Sequence, residues 1–509
     1  MAGTKQQSTL AKALQALKTL QDEHAVAIVR GSEVLGTENT KVLVENGFLE
    51  QVIKGWYIPS NPSHAGTTVT WYASYWGFVS AYCTNRFGDD WCLTPEESLC
   101  VVSGATVIPQ QVIVRVRKGS NTVQSLLHGT SIFNLTAKLP SRIEKDPTYG
   151  LNIYPLAEAL LRCSPDFYLN HPTEIRACLN ALAADEKLSA AVRDVGGESY
   201  AGRLIGALRA VGRSEVAESV RRVLKDLGRR IDESNPFVRS FERVPLPDRS
   251  PVAARLRLFW ADLRRQMLDV LPPLAKQPVL RPLSDILKDI DEGYVADSYH
   301  SLSIEGYRVS EDLIRRVRDG EWDPKSNPDD QDQKNALAAS GYYRAYRKVR
   351  SAIEAIVGGA DAGSSIADGI VDWHRELFLP CVDAGLLSKS DLAGYRRGQV
   401  YIAGSRYTPP PSAVLPDVMD AFFDLVRTEK DYRVRAVLGH FFFVHIHPYA
   451  DGNGRTARFI MNASLVVGGG KWTVIPVAAR ERYMKSLEVA SVEGKIGDFL
   501  SLLSPTISL

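Results

Sequence analysis

Between Ala436 and Ile446 the chain reads AVLGHFFFVHI, apolar at nearly every position but, with two histidines, too short to span a membrane. A segment apolar on every face reads as a buried helix, so the fold has to be built around it. The residues that leave it therefore start from the interior. They are HPYADGNGRTAR, His447 to Arg458. Pro448 discourages further helix, Gly452 and Gly454 free the backbone, and a second helix begins near Asn453.

A glycine-bearing loop at a helix N-terminus presents unpaired N–H groups and the positive end of the helix dipole, which makes it a ready anion site. Arg455 and Arg458 lie three apart, on one face of the second helix, and their forked donors suit non-bridging phosphate oxygens. Asp451 is a lone carboxylate beside that cradle, in the way Mg2+ is held by one or two protein oxygens together with phosphates and water. His447 is the nearby group able to accept a proton near neutral pH. Together these residues describe attack of a hydroxyl on a nucleotide phosphorus. His445 is two residues from His447, poorly placed to share a metal with it, and reads as a packed histidine. His440 and His374 fall in apolar helices and read as core residues. Because a helix rather than a strand precedes Gly452 and Gly454, a Rossmann fingerprint is excluded.

A chain of 509 residues is expected to hold two to four domains. Hydrophobic and charged contents of 45% and 24% mark it as folded rather than disordered. Its net charge of +2 gives no general pull toward nucleic acid or an anionic membrane, so any such partner must be met by a local patch. The N-terminal stretch is polar and periodic, unlike a signal peptide. Six scattered cysteines show neither a CxxC pair nor zinc-finger spacing. The expectation is a cytoplasmic chain with reduced thiols and no membrane partner.

Four segments follow from the patterning. In 1–62, two helical stretches precede a short strand, a turn at Lys54 and Gly55 and a second strand closed by Pro59, the outline of a winged helix-turn-helix. Acidic and basic side chains roughly balance there, so DNA contact and purely protein contact both stay open. In 63–232, QQVIVRVRKG and TSIFNLTAKLP read as strands ahead of alanine- and leucine-rich helices, an α/β module. Residues 233–256, rich in Pro, Ser and charge, read as a linker. Residues 257–509 read as all-α, interrupted by one hairpin candidate, GYRRGQVYIAGSRYTPPP.

The stretch HPYADGNGRTAR resembles the signature of the Fic family, HPFx(D/E)GNGRxxR, with Tyr449 in place of Phe. The resemblance implies a protein adenylyltransferase in which His447 is the general base toward a target hydroxyl and Asp451 the Mg2+ ligand. Gly452, Asn453 and Gly454 would shape the anion hole, and Arg455 and Arg458 would hold the outer phosphates of ATP. Family members that phosphorylate carry lysine where this chain has Gly454, so adenylyl transfer is implied here. Gly394 to Met419 resembles the family's β-hairpin flap, in which Val400, Tyr401, Ile402, Ala403 and Gly404 would pair with an extended target segment. On its own it reads as an ordinary hairpin with a rigid PPP exit. The stretch WTVIPVAARERYMKSLEVAS resembles the closing helices, with Arg480 and Tyr483 near the nucleotide at most and Tyr483 better read as core.

SLSIEG, Ser301 to Gly306, matches the family's inhibitory motif (S/T)xxxE(G/N), on a helix near 298–306. Ser301 and Glu305 share one helix face. By resemblance Glu305 pairs with Arg458 and occupies the place of the γ-phosphate. Residues 5 to 230 resemble, more loosely, AbiEi-type antitoxin regulators. The reading is thus multidomain, with an N-terminal winged helix, an α/β module and a C-terminal all-α Fic domain bearing a flap. It implies ATP and a target protein as partners, and leaves DNA and a second copy of the chain open. Removal of AMP by the same site, or DNA-binding regulation in a toxin–antitoxin-like system, are the alternatives.

Overall fold

The computed structural model describes residues 2–24, 35–62, 67–195, 197–237, 244, 246–247, 250–274, 281–322, 333–402 and 404–504. They fall into two compact units, Met1–Arg255 with Gln399–Pro409, and Leu256–Gly398 with Pro410–Leu509.

In the first unit α1 (Ala2–His24) and α2 (Thr37–Glu45) precede an antiparallel hairpin of β1 (Leu49–Ile53) and β2 (Trp56–Pro59). Gly47 and Gly55, at φ 74° and 82°, supply the left-handed backbone that the two turns require. Ala13, Leu17, Leu43 and Leu49 close a small core. Residues 25–34, on which the middle of the winged-helix expectation falls, lie outside the described residues.

Further on, α3 (Thr68–Phe87) lays Trp71, Tyr75 and Phe78 on a sheet of β3 (Trp91–Leu93), β4 (Gln111–Val116), β5 (Val123–Ser125) and β6 (Ser131–Thr136). The order is β3-β4-β6-β5. Only the central β4 and β6 pair in parallel, with Gln111 opposite Ser131. Alternation in QVIVRV makes β4 a strand: Val112, Val114 and Val116 enter the core and the residues between do not. Short helices between Leu156 and Asp226 gather Leu160, Leu179, Leu204 and Val220 into a second core.

Gln399–Pro409 packs within this same unit. Ile108 N–H donates to Arg406 O (2.9 Å), Thr408 N–H to Thr106 O (3.3 Å), and the Tyr401 hydroxyl to Ala73 O (3.1 Å). The expected β-hairpin is not formed as a ladder among the described residues. Pro409, Pro410 and Pro411 have no N–H to donate. Instead Gln399 Nε2 donates across to Pro409 O (2.6 Å), and the one β-bridge of the segment joins Tyr407 to Val107.

The expected linker is also shorter than its composition suggested. A helix begins at Pro251, because PVAARLRLFWADLRRQML carries an apolar face that buries Leu258, Trp260, Leu263 and Met267. The second unit is helical among the described residues, and the elements that build the site are α4 (Leu283–Ile304), α5 (Gln333–Val357), α6 (Ala362–Asp383), α7 (Leu415–Thr428), α8 (Tyr432–Ile446), α9 (Asn453–Val467) and α10 (Arg480–Glu493). Only Tyr432 and Val444 of α8 escape full burial. The apolar run is thus the central helix, and its partner α9 is buried along its whole length except at Gly454.

Candidate active site

The last turn of α8 ends at His447, whose N–H donates to Phe443 O (3.0 Å) while its backbone turns left-handed, φ 52° and ψ 57°. For a residue with a Cβ this costs roughly 1–2 kcal/mol and persists where the surroundings fix it. Its Nδ1 lies 3.3 Å from Val444 O. A carbonyl can only accept, so Nδ1 carries the proton and Nε2 keeps its lone pair. Burial pushes the imidazole below its ordinary value of 6.5, which leaves the ring neutral at pH 7.

Asn453, the first residue of α9, clasps the loop behind this histidine. Its Oδ1 accepts from Tyr449 N–H (3.1 Å) and its Nδ2 donates to Tyr449 O (2.8 Å). His374 of α6 stacks on the Tyr449 ring at 3.6 Å and lies with Nε2 2.9 Å from Asp451 O, to which it donates. Burial pushes His374 down to about 4, so it is neutral as well. The sequence reading placed His374 in the core, which is correct, but missed that it props the loop. Burial opposes the Asp451 charge, yet the Arg455 guanidinium and the Gly452 N–H hold its carboxyl below the usual carboxylate range.

Arg455 and Arg458 are both buried, at 1% and 2% exposure. Arg458 is held by the motif on α4: Nε donates to Ser301 Oγ (2.8 Å), and Nη2 to Ser301 O (3.0 Å) and Glu305 Oε1 (2.7 Å). Burial works against its charge, but Glu305 raises its pKa further. Arg455 Nη2 pairs with Asp451 Oδ2 at 3.1 Å, and neither it nor Nε makes a hydrogen bond among the described residues. Its guanidinium is flanked by the rings of Tyr307 and Phe378, each 5.1 Å away. A Cβ built on Gly454 would stand 2.3 Å from Glu305 Oε1. The carboxylate therefore sits directly over the first turn of α9, where an anion is expected.

Among the described residues, no group of three or more His, Cys, Asp and Glu could hold a metal. Asp451, ionised and 56% exposed, is the kind of single carboxylate that fits a Mg2+ completed by phosphate oxygens and water. The remaining expected residues are structural. Tyr483 hydrogen-bonds His440 Nε2 in the core (2.9 Å), Arg480 Nε caps Ile304 O at the end of α4 (2.9 Å), and His445 Nδ1 meets Ser491 Oγ (3.2 Å). All six cysteines are free.

The structure thus brings His447, Asp451, Gly452, Asn453, Gly454, Arg455 and Arg458 together with Ser301 and Glu305. Val400, Tyr401, Ile402 and Gly404 lie in the first unit, and Ala403 is outside the described residues. Two contributors went unnoticed in the sequence. Tyr307, directly after SLSIEG, reaches Asp451 Oδ2 with its hydroxyl (3.4 Å), and Phe378 lies one turn beyond His374 on α6.

Residues 366–465 match the family model described as Fic/DOC family. A curated relative named protein adenylyltransferase Fic, from Drosophila willistoni, is 33% identical over 139 residues, 26% of each chain. Another of that name, from Culex quinquefasciatus, is 28% identical over 219 residues, 42% of this chain and 40% of that one. The chain thus spans less than half the length of these relatives. A solved structure of Fic-1 (residues 134–508) from C. elegans is similar over 66% of this chain and 85% of that chain, at 18% identity and a TM-score of 0.34, too weak to carry an argument. The family match takes in the signature loop and the helices α8 and α9 that hold it: residues 366–465 are similar to the Fic/DOC family.

Proposed function

We propose that the chain is an autoinhibited protein adenylyltransferase that moves AMP from ATP to a hydroxyl of a target protein. The observation that carries this reading is the Glu305 carboxylate, lying on Arg458 and against Gly454 at the N-terminus of α9. A carboxylate there holds the position of an anion, and Arg455 Nε, without a hydrogen bond among the described residues, is left for another. With ATP seated, Nε2 of the neutral His447 takes the proton of the target hydroxyl. The oxygen forms its bond to the α-phosphorus, the bond to the bridging oxygen breaks, and pyrophosphate leaves. Arg455, Arg458 and the first N–H groups of α9 stabilise the negative charge. A Mg2+ on Asp451 would neutralise phosphate charge when bound.

The test is intact-mass measurement of Glu305→Gly after incubation with Mg-ATP, beside Glu305→Gly/His447→Ala. The first is expected to gain an adenylate-sized increment. The second is expected to gain it ~10²–10⁴-fold more slowly. Equal rates would sink His447 as the base. An increment the size of a phosphate would replace adenylyl transfer by phosphoryl transfer, and loss of AMP from a pre-modified protein by the wild type would favour the reverse reaction. A separable reading concerns the N-terminus, where α2 and the β1–β2 hairpin support duplex binding. It predicts a gel shift by this protein that weakens steeply with salt.

A further inference from the structure

Near the start of the flap segment lies Arg396, a buried arginine (7% exposed) that nothing above uses. Its Nε donates to His447 O at 2.8 Å, and its own backbone N–H donates to Pro448 O at 2.9 Å. The same guanidinium donates from Nη1 to Gly398 O at 2.9 Å and from Nη2 to Pro410 O. Gly398 and Pro410 are the two feet on which the intervening segment stands. One planar fork therefore ties both feet to the His447 carbonyl and, through the Arg396 backbone, to the residue after it.

The arrangement has a physical purpose that a packed arginine would not need. His447 holds a left-handed backbone without being glycine, and its carbonyl points away from any intrahelical donor because α8 ends there. A cation at a helix C-terminus is favoured by the dipole, and a forked donor can meet carbonyls from three segments where an ammonium would meet them only as a point charge. We infer that Arg396 is a positioning residue: it fixes the His447 backbone, and so the direction of Nε2, to the backbone at Gly398 and Pro410, the two feet of the flap. This rests on the proposed role of His447 as base, and the coupling itself is read without it.

Two substitutions and two readouts test the inference. Amide hydrogen exchange on otherwise unaltered protein compares Arg396→Met and Arg396→Lys with the parent. The Met variant is expected to speed exchange both in the peptide containing His447 and Tyr449 and in the peptides flanking Gly398 and Pro410, and the Lys variant to do so less. Exchange accelerated at only one of the two places, or at neither, overturns the coupling whatever the enzyme does. In the Glu305→Gly background, the Met variant is expected to lose kcat on the order of 10²-fold with KM for ATP unchanged, since small displacements of a reacting group have effects of that size. The Lys variant is expected to recover part of it. Parallel loss of ATP affinity and thermal stability would reduce Arg396 to a structural residue. If Glu305→Gly itself transfers nothing, the adenylyl-transfer reading fails while the exchange result still decides the coupling.

Discussion

Arg455 and Arg458 stand one turn apart on the same face of one helix, equally buried, and are held in opposite ways. Arg458 has Nε and Nη2 engaged by Ser301 and Glu305 and only Nη1 without a hydrogen bond among the described residues, so its positive charge is answered within the fold. Arg455 meets one half-exposed carboxylate and two aromatic faces, and its Nε and Nη2 make no hydrogen bond among the described residues. A buried donor left unsatisfied is costly, and natural structures keep few of them. On the proposed reading, the difference teaches that Glu305 closes one half of a phosphate site and leaves the other half poised.

Removing Arg458 should break the comparison most severely. Truncating one partner of a buried charge pair costs about 2–5 kcal/mol, so Arg458→Ala is expected to weaken ATP binding by on the order of 10²-fold or more in calorimetry. The sharper reading is the double-mutant cycle with Glu305→Gly. Glu305→Gly should tighten ATP binding when Arg458 is present and change nothing when it is absent. Tightening of equal size in both backgrounds would show that Glu305 acts by some route other than Arg458.

Acid separates the two halves next. His374, which props the Asp451 side, is held at about 4 against an ordinary 6.5, because burial disfavours its charge. A histidine with a depressed folded pKa contributes stability that is present above 6.5 and is lost as pH falls toward 4, since the unfolded chain takes the proton first. His374→Gln keeps a donor for Asp451 O and removes the titration. Urea midpoints between pH 7.5 and 4.5 should therefore fall less steeply in this variant. An unchanged slope would mean that the other buried histidines dominate.

Arg455→Ala should act more gently, weakening ATP binding about tenfold, near 1.4 kcal/mol, because the Asp451 carboxylate it pairs with is 56% exposed and is left in contact with water. Glu305→Gly should still tighten binding in that background. If Arg455→Ala abolished the effect of Glu305→Gly, the halves would not be separate.

How much of this was legible in the sequence depended on whether a feature was local. The buried helix, its stop at His447 and the restart at Asn453 follow from an apolar run, a proline and glycines within about twenty residues, and Ser301 and Glu305 from a short motif. The strands β4 and β6 follow from alternation, while the three-residue β5 between them left no periodic signal. The expected hairpin of the flap forms no ladder among the described residues, because its prolines deny the donors and its backbone partners are Thr106 and Ile108, about three hundred residues away. His374, Phe378 and Arg396 act through contacts made across 51 to 77 positions, as in the His374 and Arg396 hydrogen bonds to the signature loop. No local pattern announces such pairs.

The smallest effect asks whether the two halves communicate at all. Tyr307 follows the inhibitory motif directly, and its ring lies 5.1 Å from the Arg455 guanidinium while its hydroxyl stands 3.4 Å from Asp451 Oδ2. At that distance the hydroxyl bond is marginal, whereas a cation over an aromatic face contributes about 0.5–2 kcal/mol. Tyr307→Phe, which keeps the ring, should therefore change ATP affinity by less than about threefold, and Tyr307→Ala by roughly threefold to tenfold. The sign for Tyr307→Ala separates two accounts: tighter binding means that the segment after Glu305 also restrains Arg455, and weaker binding means that the ring holds Arg455 ready. If Tyr307→Phe matched Tyr307→Ala, the hydroxyl on Asp451 rather than the ring under Arg455 would be the link, and the brake would reach the carboxylate as well as the arginine.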